Sequence, residues 1–290
     1  MDLEALQTFL AVAETGSFSR AAERVYLTQP AVSKRIAALE TSLGTRLFDR
    51  IGRRVQLTEA GQALLARTRG ILNELEDVRR SLTNLSGHVA GPLSLATSHH
   101  IGLHRIPGAL KRFHARYPEV RLDLRFMDSE QACHAVMRGE LELAVVTLPP
   151  ARLPQLESEL VWDDPLEVVV APAHPLAAHA SVATRALIEH PAILPGPGTY
   201  TREIILKALG AARNRIRVDM TTNYLEVLKM LASIGLGWTA LPRTMIDGDL
   251  KVVQIKNMKT IRRSLGIVTH AKRTLSNAGS AMVRMIREAA

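Results

Sequence analysis

The sequence predicts an α/β chain in which a small, mostly helical domain precedes a larger part made of two α/β lobes. Three observations point there. Residues 3–43 show apolar residues at helical spacing between capping residues and stop glycines. Residues 93–147 alternate short apolar strands with amphipathic helices. A second strand and helix series follows over residues 167–288.

Leu3, Leu6, Phe9, Leu10 and Ala13 mark a first helix that stops at Gly16. Residues 17–43 then read as two short helices about a tight turn. Ser17 caps the first, whose buried stripe is Ala21, Ala22 and Val25. Thr28 caps the second, and Pro30 sits in its first turn, where a missing N–H costs nothing. Val32, Ile36, Leu39 and Leu43 form one apolar face; Gln29, Ser33, Lys34 and Arg35 occupy the other. A helix with a polar, basic free face, angled by a small-residue helix, is the geometry that enters a DNA major groove. An ordinary helical hairpin with a solvated face is the alternative.

After Gly44, residues 45–57 read as two strands about a glycine-containing turn, a wing with Arg53 and Arg54 near its tip, placed to meet phosphates or a minor groove. The first domain is thus an all-α-type winged helix-turn-helix. Thr58 and Glu59 open a long helix. Its Leu64, Ile71, Leu75, Val78, Leu82 and Leu85 alternate by steps of four and three, with Thr68 filling the one gap. A heptad seam of this kind asks for a partner helix, the simplest being the same helix of a second copy, and a two-fold protein reads two half-sites. Gly91-Pro92 makes a hinge.

In the larger part, the expected elements are strand 93–96, helix 101–116, strand 120–126, helix 130–138 and strand 143–147, a unit with a mostly parallel sheet. The second series is strand 167–171, strand 192–194, helix 202–209, strand 216–220, helix 224–234 and strand 237–240. Strand 264–269 and helix 277–288 close the chain. Two lobes with a cleft between them imply a small-molecule site at strand ends and helix starts. Polar turns at residues 97–100, 198–201 and 221–223 offer hydroxyls and free N–H groups to an anion or carboxylate, although simple N-capping uses the same residue types.

At 290 residues the chain can hold two or three units with cores of their own, and its 47% hydrophobic and 22% charged residues are an ordinary globular balance. No apolar run approaches the ~18 residues that span a bilayer, and no basic and apolar leader opens the chain, so a cytoplasmic protein without a membrane partner is expected. One cysteine, Cys133, excludes an intrachain disulfide framework. The net charge is +9, concentrated in two places. Residues 20–54 carry eight Lys/Arg against three acids; residues 251–290 carry nine against Glu288 alone. The first block sits where a polyanion would bind. The second is expected to be a solvated surface, or else to attract an anion or wrapped DNA.

The segments QPAVSKRIAALE and LFDR…LTEAG, within residues 1–62, resemble the winged helix-turn-helix domain of LysR-type transcriptional regulators. The following helix is similar to that family's dimerising linker, and the remainder, more loosely, to its effector-binding region. The resemblance implies 1–57 as the DNA-binding domain, 58–87 as the linker and 88–290 as a periplasmic-binding-like effector domain. Its lobes would be about 92–162 with 266–290, and about 163–265, with crossings near Trp162 and Leu265. It implies a homodimer, further a tetramer built as a dimer of dimers, with double-stranded DNA and a small-molecule effector as partners and RNA polymerase as a further candidate.

Gln29, Pro30, Ser33 and Lys34 are expected at base edges, Arg53 at the wing contact, and Arg35 or Arg50 at phosphates. The resemblance carries effector contact to Thr97, Ser98, His99, Thr147, Thr199 and Thr201. No catalytic set, nucleotide loop, cofactor fingerprint or complete metal-ligand set is legible, so neither an enzyme nor a cofactor is expected. One alternative is a metal- or redox-responsive DNA-binding sensor. His100 and His104 stand at i, i+4, with His99 beside them, but no third ligand is adjacent. Cys133 would sense oxidants if its thiolate were stabilised, and otherwise is a small buried hydrophobe. Another alternative is an architectural DNA binder with a vestigial cleft.

Overall fold

The computed structural model describes residues 1–51 and 54–289. The chain forms two compact units, Met1–Leu85 and Ser86–Ala290.

In the first unit, helices α1 (Leu3–Thr15), α2 (Phe18–Arg24) and α3 (Gln29–Leu43) start and stop where the capping chemistry places them. Asp2 accepts from the Ala5 amide at 2.7 Å, and Ser17 and Thr28 each accept from an amide three residues on. Gly16 and Gly44 end α1 and α3 in the left-handed region. Ala5, Phe9, Val12, Ala21, Val32, Ile36 and Leu39 form the core with Leu47 and Phe48. Leu43, expected on that apolar face, is instead 38% exposed at the end of α3.

Strands β1 (Phe48–Ile51) and β2 (Arg54–Leu57) pair antiparallel as the wing. Helix α4 (Glu59–Asn84) is capped by Thr58, which accepts from the Gly61 amide at 3.0 Å. Gly61 is required there: a Cβ would lie 2.1 Å from the Leu47 carbonyl oxygen. The first turns of α4 pack Ala60, Leu64 and Leu65 onto the helical core. Beyond them the seam faces outward, with Ile71, Val78, Leu82 and Leu85 exposed.

The second unit is built on a seven-stranded sheet. Its strands are β3 (Gly91–Thr97), β4 (Val120–Phe126), β5 (Leu143–Thr147), β6 (Leu156–Val170), β9 (Thr239–Pro242), β10 (Lys251–Val252) and β11 (Ile261–His270). The order is β10-β6-β11-β5-β3-β4, with β9 also on β6. The unit β3, β4 and β5 is parallel as expected, and the sheet as a whole is mixed. β3 runs parallel to β4 and β5, whereas β11 and β6 return antiparallel to their neighbours. Two further strands, β7 (Ala192–Leu194) and β8 (Val218–Thr221), pair in parallel and join β9 through an Ala192–Trp238 bridge.

β6 and β11 run through both lobes. Trp162, Leu265 and Ile267 pack with Leu93, Leu95, Ile101, Phe113 and Met282 on one side of the crossing. Leu166, Val168 and Ile261 pack with Leu194, Ile205 and Trp238 on the other. The register shifts between Leu265 and Gly266, and a Cβ on Gly266 would stand 1.9 Å from the Glu159 carbonyl oxygen. This irregularity bends the strand pair as it passes from lobe to lobe.

Around the sheets lie α5 (His99–His104), α6 (Pro107–Arg116), α7 (Ser129–Met137), α8 (Tyr200–Ala208), α9 (Leu225–Ser233) and α10 (Asn277–Arg287). The single helix expected over 101–116 is two helices because Pro107 has no N–H to continue the first and starts the second.

Candidate DNA-reading face and inter-lobe cleft

The free face of α3 presents Gln29, Pro30 and Lys34 to solvent, with Ser33 half-buried among them. Gln29 Nε2 donates to the Ser33 hydroxyl at 2.9 Å, which fixes the amide at the start of the helix. Arg35 does not join this face. Its guanidinium turns to α1, where it pairs with Glu4 at 2.8 Å and reaches the Thr8 hydroxyl at 3.4 Å. The pair lies at the surface, with the Glu4 side chain 72% exposed. Arg53 lies outside the described residues, and the expectation for Arg50 concerns a side chain outside those described. Tyr26, in the turn between α2 and α3, is 95% exposed and holds a left-handed backbone at φ 55°.

In the second unit, a cavity of about 250 Å³ opens between the lobes beside the β6–β11 crossing. One wall comes from the ends of β3 and β5 and the start of α7: Ser98, His99, Asp128, Ser129, Glu130 and Thr147. The other comes from the starts of α8 and α9 and the turns before them: Thr199, Thr201, Asn223 and Tyr224. Arg263 of β11 lines it as well.

Of the six expected effector residues, five line this cavity. Thr97 does not: it is fully buried, and its hydroxyl donates to the Val145 carbonyl at 2.9 Å, tying β3 to β5. Thr199 caps α8 and donates to the Gly196 carbonyl at 2.8 Å. Thr201 accepts from Arg263 Nη1 at 3.4 Å. The Thr147 amide donates to the Ser129 hydroxyl at 3.1 Å. The His99 ring packs edge-on against Tyr224, with centroids 4.6 Å apart across the lobes. Ser98 precedes α5 and makes no side-chain cap bond.

The sequence puts Arg263 in a solvated basic surface, and the structure corrects this. Arg263 is 4% exposed, and its Nε donates to Asp164 at 2.9 Å. Asp164, 1% exposed, also accepts from Arg105 at 3.1 Å. A carboxylate in the middle of β6 thus holds one cation from each side of the crossing. Other members of the C-terminal basic block are paired at the surface, Arg287 with Glu159 and Arg262 with Asp163.

The lobes are also joined by polar bridges. Asn223 donates to Asp128 at 2.7 Å while accepting from the Gly196 amide, and the Tyr200 amide donates to Glu130. Burial, more than any charge, raises the Glu130 carboxyl above the ordinary carboxylate range. Asp128, Glu130 and Tyr224 escaped the sequence reading because only the fold brings the start of α7 opposite the turn before α9. Cys133 is fully buried on α7, and burial pushes its thiol up to about 11, which does not suit a redox sensor.

Residues 86–290 match the family model for the LysR substrate binding domain, and residues 3–62 match that for the bacterial regulatory helix-turn-helix protein, lysR family. The chain is a LysR-type transcriptional regulator. It is 30% identical to a probable RuBisCO transcriptional regulator of Synechocystis sp., over 98% of this chain and 85% of that one. An uncharacterised HTH-type transcriptional regulator of Azotobacter vinelandii is 70% identical over 107 residues, which are 37% of this chain and 74% of the relative. Among solved structures, a full-length OxyR variant from Pseudomonas aeruginosa superposes with a TM-score of 0.76 at 24% identity, over 100% of this chain and 96% of that one. CbnR bound to its target DNA gives 0.64 at 22% identity, over all of both chains. This LysR-type chain therefore pairs a DNA-binding helix-turn-helix with an effector-binding domain. Among its described residues, no helix is long and apolar enough to cross a membrane.

Proposed function

We propose that this regulator reads operator DNA as a homodimer through α3 and is controlled by a small polar effector held between its α/β lobes. In this reading residues 1–57 bind DNA, 58–87 form the dimerising helix and 88–290 bind the effector, with lobes of about 92–162 plus 266–290 and about 163–265. The observation that carries it is the polar cavity at the strand crossing. It is small, lined by hydroxyls, and bordered by Arg263 on one strand and by the Asp128 and Glu130 carboxylates at the start of α7. Such a lining suits a compact molecule carrying an acid group with hydroxyl or amine functions. Ser98, His99, Thr147, Thr199 and Thr201 are its contacts, with Ser129 and Arg263 added by the structure.

Gln29, Pro30, Ser33 and Lys34 take the base edges, and Arg50 and Arg53 of the wing take phosphates and the minor groove. The outward apolar seam of α4 supports a dimer, and the family supports a dimer of dimers that acts on RNA polymerase in the cytoplasm. Binding in the cleft changes how the lobes, and through them the subunits, are disposed. Relatives named as transcriptional regulators and a buried Cys133 favour this reading over a redox sensor.

Thermal unfolding of the full chain against small organic acids, amino acids and inorganic anions, in the presence of a chelator, tests the reading. A ligand at 100 times its Kd stabilises by about 2.7 kcal/mol. One hit, lost in Thr201→Val and Ser129→Ala, is expected; no hit from any class would leave the cleft without an effector.

A further inference from the structure

On the far side of His100 from the effector cleft, the lobes come together a second time. α5 carries His100 and His104 one turn apart, with ring centroids separated by 4.8 Å. α9, from the other lobe, brings Glu226 against them. Its Oε1 lies 3.0 Å from His104 Nε2 and 3.6 Å from His100 Nδ1. The potential donor atoms of all three lie within 4.8 Å of one another, and no other such group of three occurs among the described residues.

His100 is 4% exposed, and neither ring nitrogen has a hydrogen-bond partner. A buried imidazole with two unused nitrogens is unfavourable unless something takes a lone pair. His104 and Glu226 border a cavity of about 490 Å³ that leaves room for water or a further ligand. The nearby cations are already engaged: Arg105 and Arg263 hold Asp164, and Lys229 holds Asp247.

We propose that His100, His104 and Glu226 form a divalent transition-metal site that fastens α5 of one lobe to α9 of the other. Two imidazoles and one carboxylate are the donor set of zinc and its borderline neighbours cobalt and nickel, with a coordination position left open. Calcium and magnesium, which take oxygen ligands, do not fit. Bond lengths of ~2.0–2.2 Å require the three donors to draw closer together. His104 and Glu226, both part-exposed, have room to turn toward the fixed His100. Because His100 also lines the effector cleft, the metal would limit opening of the cleft from its rear wall.

The test uses the untagged full chain, stripped with chelator and titrated with Co²⁺ as a spectroscopic probe, then with Zn²⁺ in competition. One Co²⁺ per chain with visible d–d absorption, displaced by Zn²⁺, is expected. His104→Ala and Glu226→Gln should each weaken binding at least tenfold while leaving the chelated chain's unfolding midpoint nearly unchanged. Absence of stoichiometric Co²⁺ binding, or an affinity in both variants unchanged from that of the unsubstituted chain, overturns the site. Effector binding is measured in chelator, so either proposal can fail without the other.

Discussion

Gln29 and Ser33 set the chemistry of the recognition face at the scale of single residues. The Gln29 amide is held by the Ser33 hydroxyl, so its free carbonyl and remaining N–H have a defined direction. Gln29→Ala should cost about 1–3 kcal/mol of operator affinity and relax specificity at one base pair. Lys34→Ala tests the other expected base contact in the same way, and quantitative footprinting on matched and substituted operators measures both. Arg35→Ala should instead leave the salt dependence of DNA binding unchanged and lower the stability of the first unit by up to about 1 kcal/mol, because Glu4 is exposed. Tyr26 holds a left-handed backbone that a residue with a Cβ adopts at a cost. Tyr26→Asn should therefore stabilise the free chain by about 1 kcal/mol in urea unfolding. Cys133 should react with a disulfide reagent at pH 8 only as the chain unfolds, since burial keeps its thiol protonated.

At the scale of elements, α4 is divided by what it packs against. Its first turns belong to the helix-turn-helix core, and its later turns expose Leu82 at 65% and Leu85 at 84%. An apolar seam left in water is satisfied by a second copy of itself. Leu82→Lys together with Val78→Glu should shift sedimentation from dimer to monomer while the first unit keeps its helical signal. A sedimentation profile unchanged at micromolar protein would place the dimer contact elsewhere. Gly61 joins α4 to the wing by close approach, so Gly61→Ala drives a Cβ into the Leu47 carbonyl and should cost about 1–3 kcal/mol.

For the whole molecule, the crossing of β6 and β11 matters most. Asp164 sits at that crossing with Arg105 and Arg263, so one buried carboxylate is shared by both lobes and holds Arg263 at the edge of the effector cleft. Asp164→Asn leaves two guanidinium groups without their counter-charge. It should destabilise the second unit by about 3–5 kcal/mol, read by denaturant unfolding. A loss below 1 kcal/mol would mean that water or another acid takes over the arginines.

Much of the chain was legible before folding because its signals are local. The caps at Ser17, Thr28 and Thr58, the stops at Gly16 and Gly44, and the heptad spacing of α4 depend on neighbours a turn away. The QPAVSKRIAALE segment and the composition of residues 20–54 pointed to DNA on the same basis. What stayed hidden depends on residues far apart in the chain. The inward turn of Arg35 follows from Glu4, the burial of Arg263 from Asp164, and the placing of Thr97 from β5. The mixed direction of the sheet was hidden because no periodicity within a strand states which partner lies beside it. Glu226 meets His104 across 122 residues, so the carboxylate that looked absent beside His100 and His104 is brought there only by the packing of the two lobes. Side-chain spacing decides helices, caps and seams; which charges are buried, paired or brought to a common site is decided by packing.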